Sequence, residues 1–112
     1  MNNNIYLTIT HLYGFDNIKR IKPNDTLKLI KQHDNPYDDE AILAFNLECY
    51  KCGYVANSIH TVYRGTYSAG RLYDKMAEEA LCRVLFVSQE NLICELIESE
   101  KEKWDEISRY HF

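Results

Sequence analysis

The stretch HDNPYDDEAI (33–42) gathers four carboxylates, an asparagine and a proline around one tyrosine, followed by an apolar run. Asn35 and Asp38 are residue types whose side chains bond neighbouring backbone N–H groups, and Pro36 fixes its own φ, so the segment reads as a turn. Nothing in a turn requires Tyr37. An aromatic ring held on a rigid turn exposes a face on which a nucleobase can stack. The adjacent Asp38 repels an internal phosphate but accepts a hydrogen bond from a terminal sugar hydroxyl. Stacking beside such an acceptor suits a strand end rather than a continuous duplex. The plainer alternative is a turn with solvated aspartates, with Ala41 and Ile42 entering the core. It leaves the tyrosine unexplained.

The other reactive residue types do not assemble into a catalytic set. His11, His33, His60 and His111 are dispersed, and no nucleophile or acid accompanies one at a recognised spacing. GTYSAG (65–70) lacks the G-x-x-x-x-G-K-[ST] pattern of a phosphate loop. Asp38, Asp39 and Glu40 are consecutive, and consecutive side chains are expected to diverge rather than share a metal ion. The chain is therefore read as a non-enzyme. CYKC (49–52) has the C-x-x-C spacing of a zinc half-site. A closed zinc site needs four N or S ligands, and Cys82 and Cys94 alternate with apolar residues as small core side chains do. Zinc at Cys49 and Cys52 is disfavoured, reduced structural thiols are expected, and no cofactor is implied.

The elements that must hold these residues follow from hydrophobic period. IYLTITHLY (5–13) alternates as a strand, and GFDN (14–17) is a turn. IKPND (21–25) turns into TLKLIKQ (26–32), a half-buried strand with Leu27, Leu29 and Lys31 on one face. EAILAFNL (40–47) is an apolar run of strand length with helix as the alternative. KCGYV (51–55) is a strand. A helix is predicted from Ser68 or Ala69 to Ala80, with Leu72, Met76 and Ala80 on its apolar stripe. CRVLFVSQENLICELIE (82–98) reads as a hairpin around SQEN (88–91). SEKEKWDEISRY (99–110) reads as a terminal helix, with Ser99 and Glu102 at capping-box spacing and Trp104 docking it. Five or six short strands, one inserted helix and one C-terminal helix describe a mainly β protein built on a small barrel. The domain is expected over 1–97, with an acidic tail over 98–112.

Charge narrows the partners. The net charge of −4 is concentrated at the end: residues 95–112 carry six acids and three bases, which leaves the remainder near neutral. Near-neutrality neither supports nor forbids phosphate binding. Lys19, Arg20 and Lys22 form the densest basic cluster and read as a solvated hairpin. Arg64 and Arg71 flank GTYSAG, where surface salt bridges are the favoured reading and phosphate contact the alternative. Tyr63, Tyr67 and Tyr73 are read as packing. No signal peptide or membrane-spanning stretch is evident, so a soluble, cytoplasmic protein is expected, with no membrane partner.

The arrangement of LKLIKQHDNPYDDEAILAF followed by KCGYVANS closely resembles the HIRAN domain family. Its signature is a strand running into an N-x-Y-D-x-x-A-[IV] turn and then a G-[YH] strand. YRGTYSAGRLYDKMAEEALCRVLFV resembles the stand-alone bacterial members in particular. The likeness spans residues 5–96. It implies a modified OB-like or SH3-like barrel and recognition of single-stranded DNA, with eukaryotic members capturing a free 3′ end in replication-fork processing and DNA repair. On this resemblance Tyr37 is the base-stacking aromatic, Asp38 the acceptor for the 3′-hydroxyl and Asn35 a polar contact beside them. Tyr54 stands where eukaryotic members carry a histidine near the phosphates, and Asn57 where they carry a lysine. His11 and Tyr13, in HLYG (11–14), are the nearest counterparts of an Arg-aromatic run on the first strand. A protein-interaction adaptor that keeps the barrel without DNA binding, with protein partners instead, is the alternative. The oligomeric state is not legible.

Overall fold

The alternating segments become a sheet closed on itself. The computed structural model describes residues 4–11, 21–58 and 61–99. Six strands are present: β1 (Tyr6–His11), β2 (Thr26–Lys31), β3 (Ile42–Phe45), β4 (Lys51–Val55), β5 (Glu79–Val87) and β6 (Asn91–Ser99). One short helix, α1 (Ala69–Tyr73), lies between β4 and β5. Every strand pairing is antiparallel, and the order β1-β4-β3-β2-β5-β6 closes where β6 meets β1. Closure gives each of the six described strands a neighbour on both sides, the arrangement that removes sheet edges. The expected mainly β barrel of about six strands is therefore the observed architecture. The terminal helix, Trp104 and Tyr13 lie outside the described residues, as do Lys19 and Arg20. Ser99, expected to cap that helix, is the last residue of β6.

The core collects the inward residues of every strand. Leu7 and Ile9 from β1, Leu27 and Leu29 from β2, Ile42 and Ala44 from β3, Val84 from β5 and Leu92 from β6 are all buried. Within the run at 40–47 only Ile42–Phe45 form a strand, and no part is helix, because β3 is central: it pairs with β2 on one side and β4 on the other. The helix expected to reach Ala80 ends at Tyr73, with Asp74 as its C-cap. Leu72, Met76 and Ala80 are all buried, as their spacing suggests. Ala80, however, opposes Leu29 in the β2–β5 ladder. Pairing of β5 with both β2 and β6 outweighs roughly the last two turns of a helix.

The seam between β1 and β4 depends on one residue without a side chain. Gly53 faces His11 across this ladder, and a Cβ on it would stand 1.9 Å from the carbonyl oxygen of Thr10. Only glycine admits that approach. The same seam leads the chain out at Val55, from which residues 56–58 and 61–68 cross over β1. Ala56 N–H donates to Thr8 O at 2.8 Å, Tyr67 N–H to Tyr6 O at 2.6 Å and Ala69 N–H to Ala56 O at 2.9 Å. Thr8, fully buried beneath this crossing, has its hydroxyl 2.9 Å from that of Thr66. Ala69 and Leu72 then carry α1 onto the core. No helix of the described residues is long and apolar enough to cross a membrane.

Candidate functional site

The loop between β2 and β3 is organised from within. Asn35 Oδ1 accepts from the backbone N–H groups of Tyr37 (2.8 Å) and Asp38 (3.0 Å). Asp38 Oδ1 accepts from Glu40 N–H at 2.9 Å. Gln32 N–H donates to Ala41 O at 2.8 Å and closes the base of the loop. These bonds shape the turn that the sequence predicts and leave Tyr37 projecting, with 95% of its surface exposed.

That loop forms one wall of an open groove of about 570 Å³. Asn35, Tyr37 and Asp38 line it from the loop, Tyr54 from β4, and Asn57 from the segment that follows. Five of the seven residues singled out in the sequence thus come together from three parts of the chain. Of the other two, His11 ends β1 with its backbone opposite Gly53, and Tyr13 lies outside the described residues. Thr10 adds to the floor, its hydroxyl donating to Tyr54 O at 3.2 Å.

Gln32, which the sequence reading passes over, joins the walls. Its Oε1 accepts from Asn35 Nδ2 and from the Tyr54 hydroxyl, each at 3.0 Å. Tyr54 is therefore held by its hydroxyl and presents its ring to the groove rather than a free phenol. Asn57 is likewise committed, its Oδ1 accepting from Gly70 N–H at 2.9 Å. Among the described lining residues the only charge is Asp38.

Two expectations are corrected at the rim. Asp38, Asp39 and Glu40 do not diverge: one oxygen from each lies within 4.8 Å of the others. The cause is the bond from Glu40 N–H to Asp38, which folds the three residues into a tight turn. Arg64 and Arg71 take part in no salt bridge among the described residues. The Arg71 guanidinium lies 4.3 Å from the centroid of the Tyr67 ring instead. Both arginines line a second hollow of about 340 Å³, and Asn57 borders both hollow and groove.

Behind the loop runs a polar chain that needs tertiary structure to be seen. The Tyr73 hydroxyl meets His33 Nδ1 at 3.0 Å, and His33 Nε2 meets the Glu78 carboxylate. Lys31 Nζ stands 4.2 Å from the Tyr73 ring centroid. Desolvation holds the Tyr73 hydroxyl above its ordinary value, with the carboxylates of Glu78, Asp39 and Glu40 adding to the effect. Such a phenol stays protonated and serves as a tether between α1, the loop and β5.

The cysteines divide between surface and core. Cys49 is exposed at φ +71° in the β3–β4 turn, whereas Cys52, Cys82 and Cys94 are buried, and none is bridged. Burial pushes the Cys52 thiol up to about 11. The Cys82 thiol is raised by its hydrogen bond with Cys94 and by burial.

Comparison with protein-family models, with curated proteins and with solved structures finds no match for this chain.

Proposed function

We propose that this chain is a HIRAN-like module that binds the 3′ end of single-stranded DNA and catalyses no reaction on it. One observation carries the reading: Asn35, Tyr37, Asp38, Tyr54 and Asn57, the positions that the HIRAN resemblance picks out, line a single groove. The terminal base stacks on Tyr37, whose ring is free to receive it. Asp38 accepts the 3′-hydroxyl through Oδ2, since Oδ1 is engaged with Glu40 N–H. Asn35 fixes the spacing between the two by bonding both their backbone N–H groups. The Tyr54 ring flanks the sugar and Asn57 borders the exit of the strand. A role in DNA repair or replication-fork processing belongs to this reading, in the cytoplasm, where four unbridged cysteines are at home.

A fluorescent oligonucleotide titrated with a free 3′-hydroxyl and with a 3′-phosphate tests it. Tighter binding of the hydroxyl form is expected, because a phosphate would meet the Asp38 carboxylate. Equal affinities overturn end recognition.

A second reading, a non-catalytic protein-interaction adaptor, is favoured by one specific feature: no lysine or arginine lines the groove among the described residues. It predicts no salt-sensitive DNA binding and a stable protein partner in a pull-down.

A further inference from the structure

A groove whose described lining carries no cation leaves open where the backbone charge of a bound strand would be met. The neighbouring hollow has the composition that the groove lacks. Arg64 and Arg71 line it together with Thr66 and Ser68, and no carboxylate does so among the described residues. Among the described residues no acid pairs with either guanidinium. Arg71 is also oriented in advance: it stacks at 4.3 Å on Tyr67, which packs against the core. A guanidinium held over a ring by cation–π attraction still has N–H donors to offer phosphate oxygens. Arg64 stands just before Gly65, at φ +91°, in the crossing segment. The Asn57 side chain, pinned by Gly70 N–H, forms the boundary between hollow and groove.

We infer that the hollow between Arg64 and Arg71 is a phosphate subsite for the strand whose 3′ end occupies the groove. The inference rests on the end-binding reading for its ligand and adds a division of labour. The groove takes the terminal base and sugar. The two guanidinium groups neutralise phosphodiesters on the 5′ side as the strand passes Asn57. A groove whose one described charge is the Asp38 carboxylate, beside a cationic hollow, also sets polarity, since a strand entering the other way would put its charged backbone against Asp38.

The test uses the salt dependence of oligonucleotide affinity, measured for 3′-hydroxyl and 3′-phosphate probes with the wild type, Arg64→Gln, Arg71→Gln and the double variant. Each phosphate neutralised on a single strand contributes a slope of about −0.7 in log affinity against log salt, so two contacts make affinity fall roughly sevenfold for a fourfold rise in salt. The double variant should lose most of that fall and bind more weakly at low salt, with its preference for the 3′-hydroxyl intact. Lys51→Gln, the same charge change at the far end of β4, should leave the slope alone. A slope unchanged in the double variant, with the 3′-hydroxyl preference retained, overturns the phosphate subsite and spares end recognition. A slope that flattens in a protein showing no 3′-hydroxyl preference supports the subsite and overturns end recognition. No salt-dependent binding by the wild type overturns both.

Discussion

The barrel contains two turns of nearly the same chemistry, and only one of them borders the proposed site. Between β2 and β3, Asn35 accepts from two backbone N–H groups, one belonging to Tyr37 and one to Asp38. Between β3 and β4, Asn46 accepts from the N–H groups of Glu48 and Tyr50, both at 2.9 Å. Each turn carries an exposed tyrosine and a carboxylate. The second is a tight hairpin: Asn46 N–H donates to Tyr50 O at 2.9 Å, so Tyr50 closes the turn just before β4. The first is a wider loop whose base is closed by Gln32, and Gln32 also reaches the Tyr54 hydroxyl. An asparagine turn with a tyrosine is therefore a common part. Both turns border a hollow, the second together with Ile21, Asp25 and Leu27. What separates them is the lateral link through Gln32, which ties the first to the Tyr54 hydroxyl.

Variants can break this contrast or sharpen it. The largest loss should come from Gly53→Ala, in the strand that begins at one turn and carries Tyr54 to the other. A methyl group driven into the Thr10 carbonyl forces β1 and β4 apart, at a cost of at least about 3 kcal/mol. Denaturant melts would read it, and a midpoint near that of the wild type would show that the seam yields more easily than its geometry requires. Next, Tyr37→Ala should weaken DNA binding by ~1–3 kcal/mol, the value of one stacked base. Tyr50→Ala should leave affinity unchanged, and equal losses from the two variants would erase the distinction.

Asn35→Ala and Asn46→Ala should each destabilise by about 1–2 kcal/mol, because each removes two turn hydrogen bonds. Asn35→Ala alone should also lower DNA affinity, measured after correcting for the folded fraction. The smallest effect concerns pH and the hairpin's CYKC segment. The folded state holds the Cys52 proton up to about 11, against an ordinary 9.0. The folded thiol thus binds its proton more tightly than the unfolded one. That contribution to stability is complete below about pH 9 and falls as pH rises towards 11. Urea melts across this interval should fall more steeply for the wild type than for Cys52→Ala, and parallel curves would contradict the assignment. Iodoacetamide should modify exposed Cys49 first at either end of the interval.

The turns and strands were legible because they are local. NPYDDE announces its own hydrogen bonds, and the period-two pattern of TLKLIK names the face that Leu27 and Leu29 bury. The end of α1 was not legible, since Leu72, Met76 and Ala80 satisfy helical spacing and burial alike. Their backbone was decided by β2, a partner about fifty residues away in sequence for Ala80. The role of Gln32 was hidden for the same reason: its two partners lie three and twenty-two residues on. Arg64 and Arg71 were seen as a pair but assigned to salt bridges, because sequence cannot tell that no acid among the described residues pairs with either while Tyr67 meets Arg71.

The proposed recognition of a strand end rests finally on Asp38 accepting the 3′-terminal hydroxyl, and one ratio reads that proposed contact. Affinity for a 3′-hydroxyl oligonucleotide divided by affinity for its 3′-phosphate twin should be well above unity in the wild type. Asp38→Asn keeps an oxygen for Glu40 N–H but removes the charge, so it should bring the ratio close to one by improving binding of the phosphate form. A ratio that the substitution leaves unchanged would contradict end recognition by Asp38.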